Sequence, residues 1–318
     1  MGGNFLKRYE EIDVLRGIGM VGVVLIHVTS MILRDQTGVA LIVNQFARFA
    51  VPVYIFISGF GLTRGQKYKK GYTQFLEEQL SKLLPMYFLW SFIYYLINMD
   101  TFSFSELIRL TLHGDTNYHL YFVPLIIGLY VIYPLLVKVA HKKWFLPATL
   151  AISLVTIHVG TTKFNPMTWL FFFSIGIWMA FDFDEKLAKI KQHKNKLIMI
   201  YVAMLIFICV ESFITDITTS SRYTVILYTL TFIAAVLSID WSESKFKQPL
   251  SIIAKHSFTI YLCHPAVLKG FRLIYDALGL VMPDIIYIGV EAAVVLVIAL
   301  LVAVPEERLM KQSNQLNK

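Results

Sequence analysis

The twenty residues from Glu11 to Ser30, EIDVLRGIGMVGVVLIHVTS, are apolar enough to enter a bilayer and yet carry an arginine and a histidine. Arg16 stands near the start of the stretch and His27 lies eleven residues on. On an α-helix, eleven residues make just over three turns. The two side chains therefore point the same way, about 20° apart, with His27 roughly 16 Å further along the axis. A hydrocarbon core is roughly 30 Å thick. If Arg16 marks the entry, His27 sits near the middle, where an ionisable group is expensive and marks a functional site by default.

The rest of the chain has the composition of a membrane protein. It is 57% hydrophobic and 16% charged, with a mean hydropathy of +0.63, whereas a soluble chain is about half apolar and a quarter charged. The net charge of +8 falls in short basic clusters between apolar runs. That is the pattern of cytoplasmic loops beside anionic lipid, and no nucleic-acid partner is expected. Cys209 and Cys263 both lie inside apolar runs. They form no disulfide framework and no metal spacing, so no metal is expected. Glu10, Glu11, Asp13 and Arg16 spoil the first run as a cleaved signal. One membrane domain, residues 1–318, is expected, with no appended soluble domain.

Read as spanning helices, the apolar runs number ten: about 14–33, 39–62, 83–98, 119–137, 144–160, 166–181, 197–214, 222–239, 257–274 and 284–304. With the N-terminus inside, 22 of the 29 Lys and Arg fall on the inner segments. The exceptions are Arg34, Arg48, Arg109, Lys163, Arg222, Lys269 and Arg272. Positive residues stay inside, so both termini are expected to be cytoplasmic. Two connecting segments stand out. Arg64 to Lys82 is basic and then amphipathic, which suits either a surface helix held by anionic lipid or a basic cradle for a phosphorylated ligand. Asp100 to His119 is too polar to span and would line an outward mouth. No nucleotide-binding glycine loop, GxSxG or HExxH motif occurs, which argues against an ATP-driven pump.

Several groups are candidates for chemistry. A neutral His27 near the midplane suits a general base for a hydroxyl; the competing reading is a buried histidine bonded to a neighbouring helix. Arg16 either snorkels to the headgroups, pairs with Asp13 at i, i+3, or binds an anionic ligand. Arg48, ten residues into the second run, stands level with His27 if the helix starts near Val39, and would then stabilise an oxyanion. If the helix starts near Phe49, Arg48 snorkels outward. Pro52 and the Ser58-Gly59 pair would kink this helix or admit another backbone. His119 and His264 are candidates to bind substrate or to be satisfied bundle histidines. Glu211 and Glu291 read mainly as interhelical partners, and His158 as structural.

In this order the pieces resemble the membrane-bound acyltransferase-3 family, which includes bacterial O-acyltransferases of cell-surface sugars. Arg16 and His27, within IDVLRGIGMVGVVLIH, match that family's arginine-x10-histidine signature. FARFAVPVYIFISGF, LSKLLPMYFLW, YHLYFVPLIIGLYVIYPLL, WLFFFSIGIWMA and HSFTIYLCHP resemble later elements, with Tyr121 where a tryptophan is common. The likeness covers roughly residues 9 to 270.

The resemblance implies an all-α, ten-helix enzyme of the bacterial plasma membrane and cell envelope. It would use acyl-coenzyme A, acetyl or succinyl, from the cytoplasm and pass the acyl group to a carbohydrate. Arg16 and His27 are the residues associated with activity. The donor's phosphates would meet Arg16, Arg64, Lys67 and Lys82, and its arm would reach up the bundle to His27. His27 would act as the base and Arg48 as the oxyanion cation. His119, Tyr121, Ser58, Tyr261 and His264 would line the substrate path. Some relatives carry an extra helix and a fused extracytoplasmic domain. This chain shows neither, which implies that it completes the transfer itself or hands on to a separate protein. A rival reading is a transporter or flippase for a surface polysaccharide or lipid-linked sugar, although no matching halves are evident. A sensor or scaffold would leave Arg16 and His27 without a ligand.

Overall fold

The computed structural model describes residues 8–32, 38–99, 101–160, 164–215 and 219–316. Lys7, Arg34, Asp100, Lys163 and Lys318, which entered the charge count and the loop readings, lie outside the described residues, as do the side chains of Arg308 and Lys311. Among the described residues the chain is all-helical, with no strand. The helices are α1 (Glu10–Ile32), α2 (Gly38–Phe46), α3 (Ala50–Arg64), α4 (Tyr72–Asn98), α5 (Phe104–His113), α6 (Phe122–Val139) and α7 (Phe145–His158). Then follow α8 (Leu170–Ala180), α9 (Phe183–Gln192), α10 (Lys194–Thr215), α11 (Tyr223–Ser238), α12 (Lys247–Lys255), α13 (Ser257–Ala277) and α14 (Asp284–Leu316).

A helix stands at each of the ten expected spans, but among the described residues six pass as spanning on length and apolarity: α1, α2 with α3, α4, α6, α10 and α14. A seventh is added if Pro166–Ala180 and Phe183–Gln192, which meet at a 101° bend, count as one span. The corner is at Asp182, whose φ of 50° is unusual for a residue with a Cβ. Helices α7 and α11 are apolar but, at 14 and 16 residues, shorter than a bilayer core requires. Helix α13 is long enough at 21 residues but is diluted by His264, Lys269, Arg272 and Asp276.

Two expectations about helix limits change. The segment Arg64 to Lys82 is not a separate surface helix. After a 3-10 turn at Lys67–Lys69, α4 runs unbroken from Tyr72 for 27 residues with Pro85 inside it. The polar loop after Asp100 folds into α5, capped by the Ser103 hydroxyl, which accepts from the Glu106 N–H. Its exposed Phe104, Ile108 and Leu112 recur every fourth residue, the pattern of a helix lying along an apolar surface.

The described chain divides into two compact units. One contains Pro52–Lys189 and Ser221–Tyr223; the other contains Tyr9–Val51, Ile190–Ser220 and Thr224–Lys318. In the first unit, α3 and α8 touch backbone to backbone. A Cβ on Gly59 would lie 2.2 Å from the Phe173 carbonyl oxygen, and one on Gly176 would lie 2.1 Å from that of Phe56. Of the two outcomes expected for Ser58-Gly59, the glycine thus serves close approach. Without a solvent contrast, membrane helices gain contact area through such small residues.

In the second unit, α1 is the hub, packing on α2, α12, α13 and α14. Gly17 admits α12, because a Cβ there would sit 2.3 Å from the Leu250 carbonyl oxygen. Val24 and Val28 of α1 share a core with Ala40, Leu268, Ile288, Ala292 and Val295. Farther along, Phe49 stacks on Phe232 at 3.6 Å between ring centroids. By contrast α10 leaves Met199, Ile206, Phe207, Val210, Phe213 and Ile214 exposed, a face suited to hydrocarbon rather than water.

Candidate functional site

Helix α1 is continuous from Glu10 to Ile32, so the spacing of Arg16 and His27 translates into one face, three turns apart. Both side chains are half-buried. The partner of His27 comes from 237 residues downstream. His264 of α13 is fully buried, and its ring lies 5.1 Å from the His27 ring, centroid to centroid, at 31°.

A local sequence feature fixes the orientation of His264. Pro265 has no N–H, so it cannot donate to the carbonyl four residues before it. That carbonyl belongs to Tyr261, and His264 Nδ1 lies 2.8 Å from it and 3.1 Å from the Ile260 carbonyl. A carbonyl only accepts, so Nδ1 carries the proton. In the neutral ring Nε2 is then the acceptor. The proline thus frees a backbone oxygen and the adjacent histidine takes it up. Tyr261 itself lies 6.3 Å from the His264 ring.

Two turns beyond His264, Arg272 forms an ion pair with the fully buried Glu291 of α14. Its Nε donates to Oε1 at 2.6 Å and its Nη2 to Oε2 at 3.2 Å. The same Nη2 donates to the Val28 carbonyl at 3.1 Å, one residue past His27. A bidentate pair with a further acceptor is the geometry that offsets the desolvation of both charges. It ties α13 and α14 to α1 beside the two imidazoles. Glu291 is therefore an interhelical partner, as expected, and so is Glu211, which accepts from Thr224 at 2.7 Å.

Both expected helix starts hold in part: α2 begins at Gly38 and α3 at Ala50, and Arg48 lies between them. It sits in the 3-10 turn Ala47–Phe49 that separates α2 from α3. Its guanidinium donates to Asn44 Oδ1 and reaches Ser220 at 3.5 Å. Asn44 is buried and donates to Thr29 at 2.8 Å, so a polar chain leads from Arg48 to the turn of α1 just past His27.

The remaining candidates lie in the other unit. Ser58 shares a hydrogen bond with Tyr130 at 2.9 Å. His119 is buried before α6, with Nδ1 at 3.2 Å from Asn117 Oδ1 and Tyr94 edge-on at 5.3 Å. Tyr121 packs edge-on against Phe164. His158 meets the Tyr223 hydroxyl at 3.2 Å, as a structural histidine does. Arg64 pairs with Asp184 at 3.6 Å, Lys67 with Glu78 at 3.2 Å, and Lys82 is exposed on α4.

Of these basic residues, Lys67 also lines a cavity of about 670 Å³ that Arg64 and Lys82 do not line. The cavity keeps Lys70, which lies in the same expected basic cradle as Lys67, and adds Lys138, His141 and Lys186, which the sequence reading did not join to it. Their shared signal was the basic cluster count at the ends of separate apolar runs. Nothing in the sequence said that those ends converge.

A family model described as an acyltransferase domain matches residues 9–304. Over 311 residues the chain is 23% identical to "Putative membrane-bound acyltransferase YfiQ" of Bacillus subtilis (strain 168), a match spanning 87% of this chain and 84% of that protein. No solved structure matches the chain. The family match runs through both compact units and includes Arg16, His27, Arg48, His264, Arg272 and Glu291. The chain is a multi-pass membrane protein and belongs to the membrane-bound acyltransferase-3 family.

Proposed function

We propose that this protein transfers a short acyl group, acetyl or succinyl, from acyl-coenzyme A on the cytoplasmic side of a bacterial plasma membrane to a hydroxyl of a cell-surface or lipid-linked carbohydrate. The observation that carries this is the meeting of His27 and His264, 5.1 Å between ring centroids, in a chain of an acyltransferase family. Acyl transfer needs a base whose pKa lies near the working pH, and imidazole supplies one.

In this mechanism neutral His27 takes the proton of the acceptor hydroxyl as that oxygen attacks the thioester carbonyl. A C–O bond forms and the carbonyl electrons move onto oxygen. Collapse of the tetrahedral intermediate breaks the C–S bond, and the imidazolium returns its proton to the departing thiolate. His264 orients the acceptor hydroxyl through Nε2, its Nδ1–H being engaged by the helix carbonyls. Arg48, tethered through Asn44 to Thr29, supplies the cation for the oxyanion. Arg16 holds an anionic part of the donor at the far end of the same α1 face.

The test is release of free thiol by purified protein given acetyl- or succinyl-coenzyme A, with carbohydrate acceptor added. His27→Ala should lower transfer by about 10²-fold or more in protein that folds and inserts normally. Near-full transfer by that variant would end the assignment of His27. No thiol release from any short acyl donor would favour a transporter over an enzyme. Compositional analysis of surface glycans with and without the chain should show one missing ester.

A further inference from the structure

In the second unit, α11 and α13 are joined through α12, whose nine residues are too few to cross a bilayer. One side of α12 is seated on α1. Leu250 meets Gly17 backbone to backbone, Ala254 is buried, and Lys247 pairs with Glu10 at 2.7 Å. Gly17 follows Arg16 directly, so α12 leans on α1 beside that cation. Ile252, two residues past Leu250, falls on the opposite side of the helix and is 46% exposed. Phe246, at the head of α12, is 59% exposed. Lys245 and Lys255 are exposed with them, and the Lys245 ammonium stands 5.4 Å from the centre of the Phe246 ring.

A face turned to water gains nothing from an open phenylalanine and isoleucine, and a face turned to hydrocarbon does not carry lysines. The headgroup boundary satisfies both, since rings and aliphatic chains enter the acyl region while ammonium groups reach back to phosphate. Trp241 marks the same level. It is half-buried at the end of α11, its indole N–H donating to the Val236 carbonyl at 3.0 Å, and tryptophan gathers at membrane boundaries.

The charge at this end of the unit is in excess on one side. Glu11 takes up Lys191 at 2.6 Å, as Glu10 takes up Lys247. Lys191 and Lys194 lie close enough to act on the Asp240 carboxylate, which puts the start of α10 near the segment that leads into α12. Around these groups four lysines are exposed, Lys194, Lys196, Lys245 and Lys255, against the exposed Asp240 and Glu243. A positive excess beside apolar anchors matches an anionic membrane surface. A protein partner fits less well, because the core of a protein interface is depleted of lysine.

We infer that the exposed face of α12, with Phe246, Ile252, Lys245 and Lys255, docks on the headgroup region of a bilayer that contains anionic phospholipid. Membrane charge then acts on the start of α1, because α12 is seated there at Gly17 and Glu10.

The test uses full-length protein in nanodiscs of phosphatidylcholine alone or with phosphatidylglycerol. Ile252→Trp is the reporter, its emission taken as the difference from the unsubstituted protein with its 5 tryptophans. Bromine on the lipid chains should quench the added tryptophan by about twofold or more, most strongly when phosphatidylglycerol carries the bromine, and less at high salt. Lys245→Glu with Lys255→Glu should abolish the preference for phosphatidylglycerol, and Lys245→Arg with Lys255→Arg should keep it, which separates lost charge from lost fold. Quenching by aqueous iodide instead of lipid bromine would overturn the inference, as would equal quenching by the two brominated lipids. Protection from both quenchers would mean that protein covers the face, and would overturn it too. A second readout holds even where Ile252→Trp fails to insert. The melting temperature of the unsubstituted protein should rise with the fraction of phosphatidylglycerol, and that of the double glutamate variant should not. An equal response in both proteins, or none in either, would overturn the link from membrane charge to α1.

Discussion

At the face that α13 turns to α1 and α14, charge is matched one to one. Arg272 has Glu291, and the remaining donor goes to the Val28 carbonyl. In the cavity beside α4, α6 and α9, four lysines share a wall with Asp182, and Glu78 behind it pairs with two of them, Lys67 and Lys70. The two regions obey the same rule from opposite sides. A buried charge must be compensated inside the protein, because nothing else will reach it. A charge on an open cavity can wait for a ligand. Matched charge inside the bundle therefore marks a region that holds the helices together, whereas the cavity wall carries a surplus of cations at its open surface.

The sharpest way to break this comparison is to remove one side of the matched pair. Glu291→Ala should leave the half-buried Arg272 without its anion and cost about 3 kcal/mol. Thermal unfolding in detergent should show a large drop. Replacing both Arg272 and Glu291 by leucine should cost clearly less than the single change. Equal losses would mean that the pair is not coupled.

Next comes close helix contact. Gly176→Val forces a side chain into the Phe56 carbonyl, so α3 and α8 must separate, at a cost of about 1–3 kcal/mol. The same melting assay should place it between the two changes at the Arg272–Glu291 pair and the surface changes. Pro265→Ala restores an N–H that competes with His264 for the Tyr261 carbonyl. It should reduce acyl transfer through misorientation of the ring while leaving the melting temperature nearly unchanged, and an unaltered rate would show that the ring does not depend on that carbonyl.

The smallest effect is expected where pairs are exposed. Lys247→Ala removes the contact with Glu10, in which both side chains are partly in solvent. It should cost less than about 1 kcal/mol. A loss as large as that of Glu291→Ala would erase the distinction between buried and surface pairs.

Much of this was legible from the residues. Long apolar runs placed a helix at all ten positions, because a bilayer admits few alternatives for an apolar chain. The Arg16 to His27 spacing held because α1 is unbroken between them. The break at Ala47–Phe49 was legible only as one of two alternatives, a helix start near Phe49, because Asn44, Gln45 and Arg48 interrupt the apolar run without saying whether the helix stops there. Nor was the length of α4, whose polar first turns look like a loop until they are seen to continue into the apolar half. One signal was present in the sequence and not drawn on: His264-Pro265 is a histidine beside the residue that orphans a helix carbonyl.

What the sequence settled by itself was the solvent of the chain, its helical class, its family signature and the groups that share a face of one helix. These depend on composition and on contacts within a few turns. The meeting of His27 with His264, the match of Arg272 with Glu291, and the convergence of lysines from three separate helix ends were decided by the tertiary structure alone. Each joins residues from different helices, and no local periodicity encodes which helix packs beside which. That choice is made by small residues such as Gly17, Gly59 and Gly176, whose meaning emerges once a second backbone lies against them.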